Sequence, residues 1–153
     1  MAEQKYKFYM QKVLKDGTAI GETKDLEVDF VGLRYSRAKG INDIGEQRVY
    51  EEKIAESSDI RVFIPETPVY EQTSIELILY FVGENRYDTY NAFNDFVRTG
   101  FTKYWDSARN REFIFYVKDE IKIDDELWYG SVPYLKVSYK LQNIKGYTEN
   151  HQQ

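Results

Sequence analysis

Apolar and polar residues alternate along most of this chain, which is the period of β-strands that bury one face. The strictest alternation runs from residue 135 to 141, where Leu, Val, Tyr and Leu face one way and Lys, Ser and Lys face the other. Weaker alternation predicts further strands at residues 6–11, 26–35, 59–65, 113–117, 121–123 and 127–129. The pattern therefore indicates a chain dominated by antiparallel β-structure.

One segment has apolar residues on both faces and leads into a helical pattern. Residues 74–82 predict a central strand that is covered on both sides. Asn85 resembles a helix N-cap and Gly100 a helix stop, so a helix is predicted at about residues 85–99. Its apolar stripe is expected to pack on the sheet, although the first two tyrosines could instead line a ligand cleft. The predicted packing face consists of Tyr87, Tyr90, Phe93, Phe96 and Val97.

The periodic pattern breaks down between residues 36 and 58. A connection of this length in a small domain is usually functional or disordered. We favour an extended excursion whose scattered apolar residues find partners when another chain docks. A mobile surface loop, or a short helix at residues 46–55, fits the pattern equally well. The candidate residues for assembly through this loop are Arg37, Ile41, Ile44, Val49, Tyr50 and Ile54.

The order of elements is strands, a long loop, strands, one helix and strands again. This order predicts a mainly β or α+β fold, in which an antiparallel β-sandwich or flattened barrel is flanked by one amphipathic helix. At 153 residues the chain has the length of a single domain. We expect the domain to cover residues 1–146 and to be followed by a polar tail at 147–153.

Composition narrows the classes of function. The chain has 26 acidic and 21 basic residues, a net charge of -5, which argues against general attraction to nucleic acid or anionic membranes. It contains no cysteine, which removes thiolate catalysis and fits a reducing compartment. No signal-peptide pattern or membrane-spanning run is visible, so a cytoplasmic product is expected. Aromatic residues reach 16%, as expected for a packed β-core or an interface.

Candidate chemistry is sparse. The single histidine, His151, falls in the expected tail, and no phosphate-binding or nucleophile motif occurs. We therefore expect no enzyme, no cofactor and no metal site. A carboxylate cluster is read as solvated turns, and Trp105 or Trp128 offers an alternative function as a carbohydrate-binding platform. The carboxylates are Asp119, Glu120, Asp124, Asp125 and Glu126.

The sequence of a strand at 74–82, a helix on residues 85–96 and a strand at 113–117 resembles bacteriophage tail structural proteins. The resemblance is to the tail-tube fold, which tail tube proteins share with the N-terminal domain of distal tail proteins. It implies a hexameric ring built by pairing of strand edges, with the 36–58 loop as an inter-subunit arm. It also implies other tail proteins as partners, and a path from the host cytoplasm to the virion tail.

These observations lead to one main hypothesis. The chain is expected to be a non-enzymatic structural component of a phage or prophage tail that assembles with copies of itself. The additional C-terminal domain that is frequent in distal tail proteins has no counterpart here, which favours a tube-like or accessory component. The alternative is a ligand-binding or carbohydrate-binding β-sandwich.

Overall fold

The computed structural model describes residues 6–47, 49–53, 60–129 and 132–151. Within these ranges the chain is mostly antiparallel β-sheet with two helices, which confirms the predicted β-sandwich or α+β class. The elements, in chain order, are β1 Phe8–Val13, β2 Lys24–Asp25, α1 Leu26–Asp29, β3 Leu33–Lys39, β4 Tyr50–Lys53, β5 Ile60–Phe63, β6 Thr73–Val82, α2 Arg86–Arg98, β7 Phe101–Asp106, β8 Arg111–Tyr116, β9 Lys122–Tyr129, β10 Val132–Asn143 and β11 Glu149–Asn150.

Strand β10 connects two halves of the sheet. On one side it pairs with β6 over ten residues, from Tyr134 opposite Val82 to Asn143 opposite Thr73. On its other side it pairs first with β9 and then, at residues 142–143, with β8. We call β3, β6, β10 and β9 the first half-sheet, and β2, β1, β7, β8 and β11 the second half-sheet.

The two half-sheets face each other across one core. Phe8 of β1 stacks on Tyr35 of β3, with 3.6 Å between the ring centroids. The hydroxyl oxygens of Tyr35 and Tyr104 lie 3.1 Å apart, and Tyr104 donates a hydrogen bond to the buried Asp106 carboxylate. The fully buried residues of the core come from both halves. They include Met10, Leu33, Ile75, Leu79, Phe81, Phe115, Leu135 and Val137.

Helix α2 packs on this core through Phe93. The Phe93 ring contacts Phe30, Phe81 and Tyr139 at centroid distances of 5.2, 6.1 and 5.2 Å. The Tyr139 hydroxyl donates a 2.6 Å hydrogen bond to the side chain of Asn94. The helix therefore contacts both central strands of the first half-sheet.

The predicted packing face of the helix divides into an inner and an outer part. Phe93 and Val97 are fully buried, and Tyr90 and Phe96 pack against the core while partly exposed. Tyr87 is 42% exposed and donates a 2.6 Å hydrogen bond to Glu126. It stands in the first turn of the helix, and its hydroxyl group reaches strand β9 of the first half-sheet.

The strand predicted at residues 26–35 begins instead as the single turn of α1. The backbone N–H of Asp25 donates to the Asp29 carboxylate, and that of Tyr35 donates to Glu27. These side-chain acceptors satisfy backbone groups that a strand would pair with a neighbour. Leu26 is buried and Val28 is 65% exposed, so the apparent alternation does not bury one face.

The prediction of a polar tail at residues 147–153 is wrong for residues 147–151, which the structure describes. Strand β11 pairs with β8, Thr148 is buried, and the backbone N–H of His151 donates to the Asn110 carbonyl. The Arg111 guanidinium holds this segment by bonds to Thr148 and Asn150. Polar contacts order the segment, and they leave no hydrophobic period in the sequence. Residues 152–153 lie outside the described residues.

The Lys12 side chain links the C-terminal end of α2 to the second half-sheet through hydrogen bonds. Its ammonium group donates to the Thr99 carbonyl at 2.5 Å and to the Thr102 hydroxyl at 2.8 Å. It also lies 4.9 Å from the centroid of the Phe96 ring. Burial lowers the pKa of Lys12 from 10.5 to about 8.

We expect Phe93→Ala to lower the free energy of unfolding by about 3–5 kcal/mol, because it removes a ring that three other aromatic side chains enclose. Chemical denaturation followed by circular dichroism measures this. The matched control is Tyr87→Phe, which keeps its ring in the exposed first turn and should change stability by less than about 1 kcal/mol. Equal effects of the two substitutions would contradict this account of the helix.

Lys12 should make stability depend on pH in a defined direction. Between its folded pKa of about 8 and its ordinary value of 10.5, the unfolded chain binds more protons than the folded chain. Stability therefore rises with pH in this window. The wild type should gain stability relative to Lys12→Met as pH rises from 7 to 10, whereas a constant difference in unfolding free energy would count against the assignment.

Candidate functional site

The described residues between 45 and 71, which are 45–47, 49–53 and 60–71, leave the sandwich as a two-stranded excursion, which we call the arm. Its base is held by backbone hydrogen bonds: Gly45 donates to Gly146 at 2.7 Å, and Glu71 donates to Glu46 at 2.8 Å. An isolated bridge joins Gln47 to Tyr70. Further out, β4 and β5 pair only with each other, as a separate sheet within the described residues.

Two glycines allow three chain segments to meet at the base of the arm. A Cβ atom at Gly45 would stand 1.9 Å from the Glu71 carbonyl oxygen, and one at Gly146 would stand 2.0 Å from the same oxygen. No L side chain fits at either position without displacement of the backbone. The base of the arm is therefore fixed by main-chain packing.

The arm exposes consecutive apolar side chains. Val62, Phe63 and Ile64 are 55%, 64% and 57% exposed. Adjacent apolar side chains that remain this exposed commonly mark an interaction surface. The sequence pattern indicates a strand here, and β5 is that strand, but it does not show that the strand lies outside the main sheet.

The predicted assembly residues fall in different environments. Arg37 is exposed on β3, and Ile44 is exposed beside the base of the arm. Ile41 is only 4% exposed and belongs to the core, so it is unavailable to another chain. Val49 is partly buried, and Tyr50 begins β4 opposite Phe63. Ile54 lies outside the described residues.

The first half-sheet ends in two open strand edges of opposite charge. In the described part of the chain, β3 pairs only with β6, and β9 pairs only with β10. An open edge presents backbone groups to a further strand. On β3 one of these groups, the Tyr35 N–H, already donates to the Glu27 carboxylate. Basic side chains on β3 are Arg34, Arg37 and Lys39, and acidic side chains on β9 are Asp124, Asp125 and Glu126. All six residues are exposed.

The acidic residues that the sequence places in solvated turns are divided between a loop and a strand. Asp119 and Glu120 precede β9, whereas Asp124, Asp125 and Glu126 belong to it, so the turn predicted at residues 124–126 is wrong. A cavity of about 540 Å³ is lined by four carboxylates and two lysines, which are Glu76, Asp119, Glu120, Asp124, Lys122 and Lys140. Lys140 pairs with Asp119 at 3.5 Å, and the Ser138 hydroxyl donates to Asp124. In the described ranges, no three or more His, Asp and Glu residues come together in a group that could hold a metal ion.

A row of rings lies on the outer face of the second half-sheet. Trp105 stacks nearly parallel to His151, with 4.7 Å between centroids, and lies 5.6 Å from Tyr9. The Nδ1 atom of His151 is 3.0 Å from a Glu112 oxygen. The sequence pattern misses this row because β11 brings His151 back to the sheet. Trp128 is part of β9, and its side chain is outside the described part of the structure.

Comparison with known proteins supports the fold class. No known protein family and no curated protein matches the sequence. Among solved structures, the chain is similar to the Dit protein (gp 19.1) of phage SPP1, described as a paradigm of the hub adsorption apparatus in phages that infect Gram-positive bacteria. The identity is 14% and the TM-score 0.57, over 91% of this chain and 50% of that one. The chain thus spans half the length of the SPP1 protein and shares the fold of that half.

The described residues contain no helix that is both long and apolar enough to cross a membrane.

We expect Gly45→Ala to detach or reorient the arm, because its new methyl group collides with the Glu71 carbonyl. Overpacking of this kind costs about 1–3 kcal/mol. Limited proteolysis should cut the arm faster in this variant than in the wild type. Gly21→Ala is the matched control, because a Cβ atom there meets only Lys12 at an ordinary 3.4 Å. Unchanged proteolysis of Gly45→Ala would show that the base tolerates a side chain.

Proposed function

We propose that this protein is a non-enzymatic structural component of a phage or prophage tail that assembles with copies of itself. The observation that carries the proposal is the fold shared with the SPP1 Dit protein over 91% of this chain. Two features of the surface support it independently. They are the open, oppositely charged strand edges and the apolar arm.

The strand edges suit association of one copy with the next. Because β3 and β9 lie at opposite edges of one half-sheet, β9 of one copy can pair with β3 of another and leave both outer edges free for further copies. Such a head-to-tail contact closes into a ring when the rotation between copies permits. The basic side chains of β3 would then face the acidic side chains of β9, which favours this register over like-edge pairing.

The arm supplies a second contact in the proposed assembly. Its exposed Val62, Phe63 and Ile64 would become buried against a neighbouring copy or another tail protein. Six copies per ring is the number that the tail-tube resemblance implies, and we retain it as part of the proposal. The net charge of -5 suits a surface that DNA passes without binding.

The proposed path of the protein follows from this role. It would be made in the host cytoplasm and then incorporated into the virion tail beside other tail proteins. A cofactor has no place in this function, since binding between chains is all that it requires.

Charge reversal at the edges tests the assembly. We expect Arg37→Glu and Asp125→Arg each to weaken self-association about tenfold or more, the effect of losing 1.4 kcal/mol. The double variant should recover much of the loss, because it exchanges the two charges. Sedimentation velocity and native mass spectrometry over a concentration series measure this. Lys15→Glu, in the exposed turn after β1, is the control reversal.

The arm has its own test within the same experiment. Replacing Val62 and Ile64 together by serine should reduce association and leave the melting temperature nearly unchanged, since both side chains are more than half exposed. A wild-type protein that stays monomeric at every concentration would contradict self-assembly. Association that is insensitive to both edge reversals would contradict the edge contact specifically.

A further inference from the structure

Residues 26–32, which we call the α1 segment, contact β3 and cover part of its outer edge. The Tyr35 backbone N–H donates a 2.8 Å hydrogen bond to the Glu27 carboxylate, and the Leu33 N–H donates a 3.0 Å bond to the Phe30 carbonyl. Alternate residues of an antiparallel strand direct their N–H groups away from the strand they pair with. Two successive outward N–H groups of β3 are therefore already bonded within the chain.

The covered part of the edge ends at an irregularity in β3. Pairing with β6 is regular from Leu33 to Tyr35 and then shifts, so that Ser36 has no residue opposite it. Beyond the shift, residues 37–39 continue the pairing with β6. These three residues make a short edge for another strand. A strand that pairs with more of β3 must take the place of the Glu27 carboxylate at the Tyr35 N–H.

The α1 segment is held in place by contacts that do not involve the Glu27 side chain. Leu26 is fully buried in the core. The Asp29 carboxylate accepts a 2.7 Å hydrogen bond from the backbone at the start of the turn, and the Thr89 hydroxyl of α2 donates a 2.7 Å bond to the Val31 carbonyl. The Glu27 side chain can therefore leave the edge of β3 while the segment stays where it is.

We propose that Glu27 makes an autoinhibitory contact, and that its carboxylate has to leave the Tyr35 N–H before β9 of a second copy can pair along β3. This inference rests on the self-assembly proposed above. A hydrogen bond to a carboxylate is stronger than one to a neutral backbone carbonyl. Pairing at this edge thus gains less free energy than pairing at an uncovered edge, so a stable assembly requires further contacts, such as those of the arm.

The charge of Glu27 opposes the incoming strand as well. The edge of β9 carries Asp124, Asp125 and Glu126, which have the same sign as the Glu27 carboxylate. Like charges brought together at an interface disfavour binding. Two substitutions separate the effect of this charge from that of the hydrogen bond. Glu27→Gln removes the charge and keeps an oxygen that can accept from the Tyr35 N–H, whereas Glu27→Ala removes both.

Self-association of the variants tests the proposal. We expect Glu27→Ala to associate about tenfold more tightly than the wild type, the effect of sparing one hydrogen bond to a charged group. Glu27→Gln should lie between the two. Glu22→Ala, which makes the same change of charge at an exposed position before β2, is the control and should associate like the wild type. Sedimentation velocity over a concentration series gives the dissociation constants, and thermal melting shows that each variant is folded.

Hydrogen exchange tests the contact without any assembly. At a concentration at which the protein is monomeric, the Tyr35 amide should exchange at least about tenfold faster in Glu27→Ala than in the wild type. The Val82 amide is the internal control, because its 2.9 Å bond to the Gly32 carbonyl joins the same two chain segments without Glu27. Its exchange should be equal in both proteins. Nuclear magnetic resonance resolves the two amides individually.

The outcomes separate this inference from the proposed function. If the wild type associates and Glu27→Ala associates no more tightly, the autoinhibitory contact is contradicted and self-assembly stands. Equal tightening by Glu22→Ala, or an unchanged exchange rate of the Tyr35 amide, would also overturn the contact. If the wild type and Glu27→Ala both stay monomeric at every concentration, self-assembly is contradicted, and the inference fails with it. If only Glu27→Ala associates, both are supported.

Discussion

The divided pairing of β10 is the constraint on which the other features of the structure depend. On one side, β10 pairs with β6 along nearly its whole length. On the other side its partner changes from β9 to β8, so β10 belongs to the edge of both groups of strands. That change of partner separates the two half-sheets, which then face each other and bury the aromatic residues between them. It also leaves β9 and β3 as the outer strands of the first half-sheet, so in the described part of the chain neither strand has a partner strand on its outer side.

The elements with simple periods were predictable because burial alone dictates them. Leu135, Val137 and Tyr139 alternate with lysine and serine since one face of β10 meets the core. The helix was predictable from Phe93 and Val97, which recur at helical spacing and are fully buried. In these places the same residues that define the period also supply the packing energy, so the sequence pattern and the structure agree.

The remaining features depend on interactions that leave no hydrophobic period. The turn of α1 is supported by carboxylates that accept backbone hydrogen bonds, and the C-terminal segment by the Arg111 guanidinium. The position of the arm was harder still to predict, because an exposed apolar strand has the same local composition as a buried one. For Val62 and Phe63 only the path of the chain, set by glycines far away in sequence, distinguishes the two cases. Local patterns cannot contain that information.

The contact of Gly45 and Gly146 with the Glu71 carbonyl has a consequence for how this protein can change over evolution. Since these main-chain contacts, beside the contact of the Tyr70 and Tyr147 rings, hold the base of the arm, substitutions on β4 and β5 can change the exposed surface of the arm without changing its direction. The exposed side chains of β5 can therefore vary in sequence as long as both glycines are retained. Selection would then act separately on the base of the arm and on its exposed side chains.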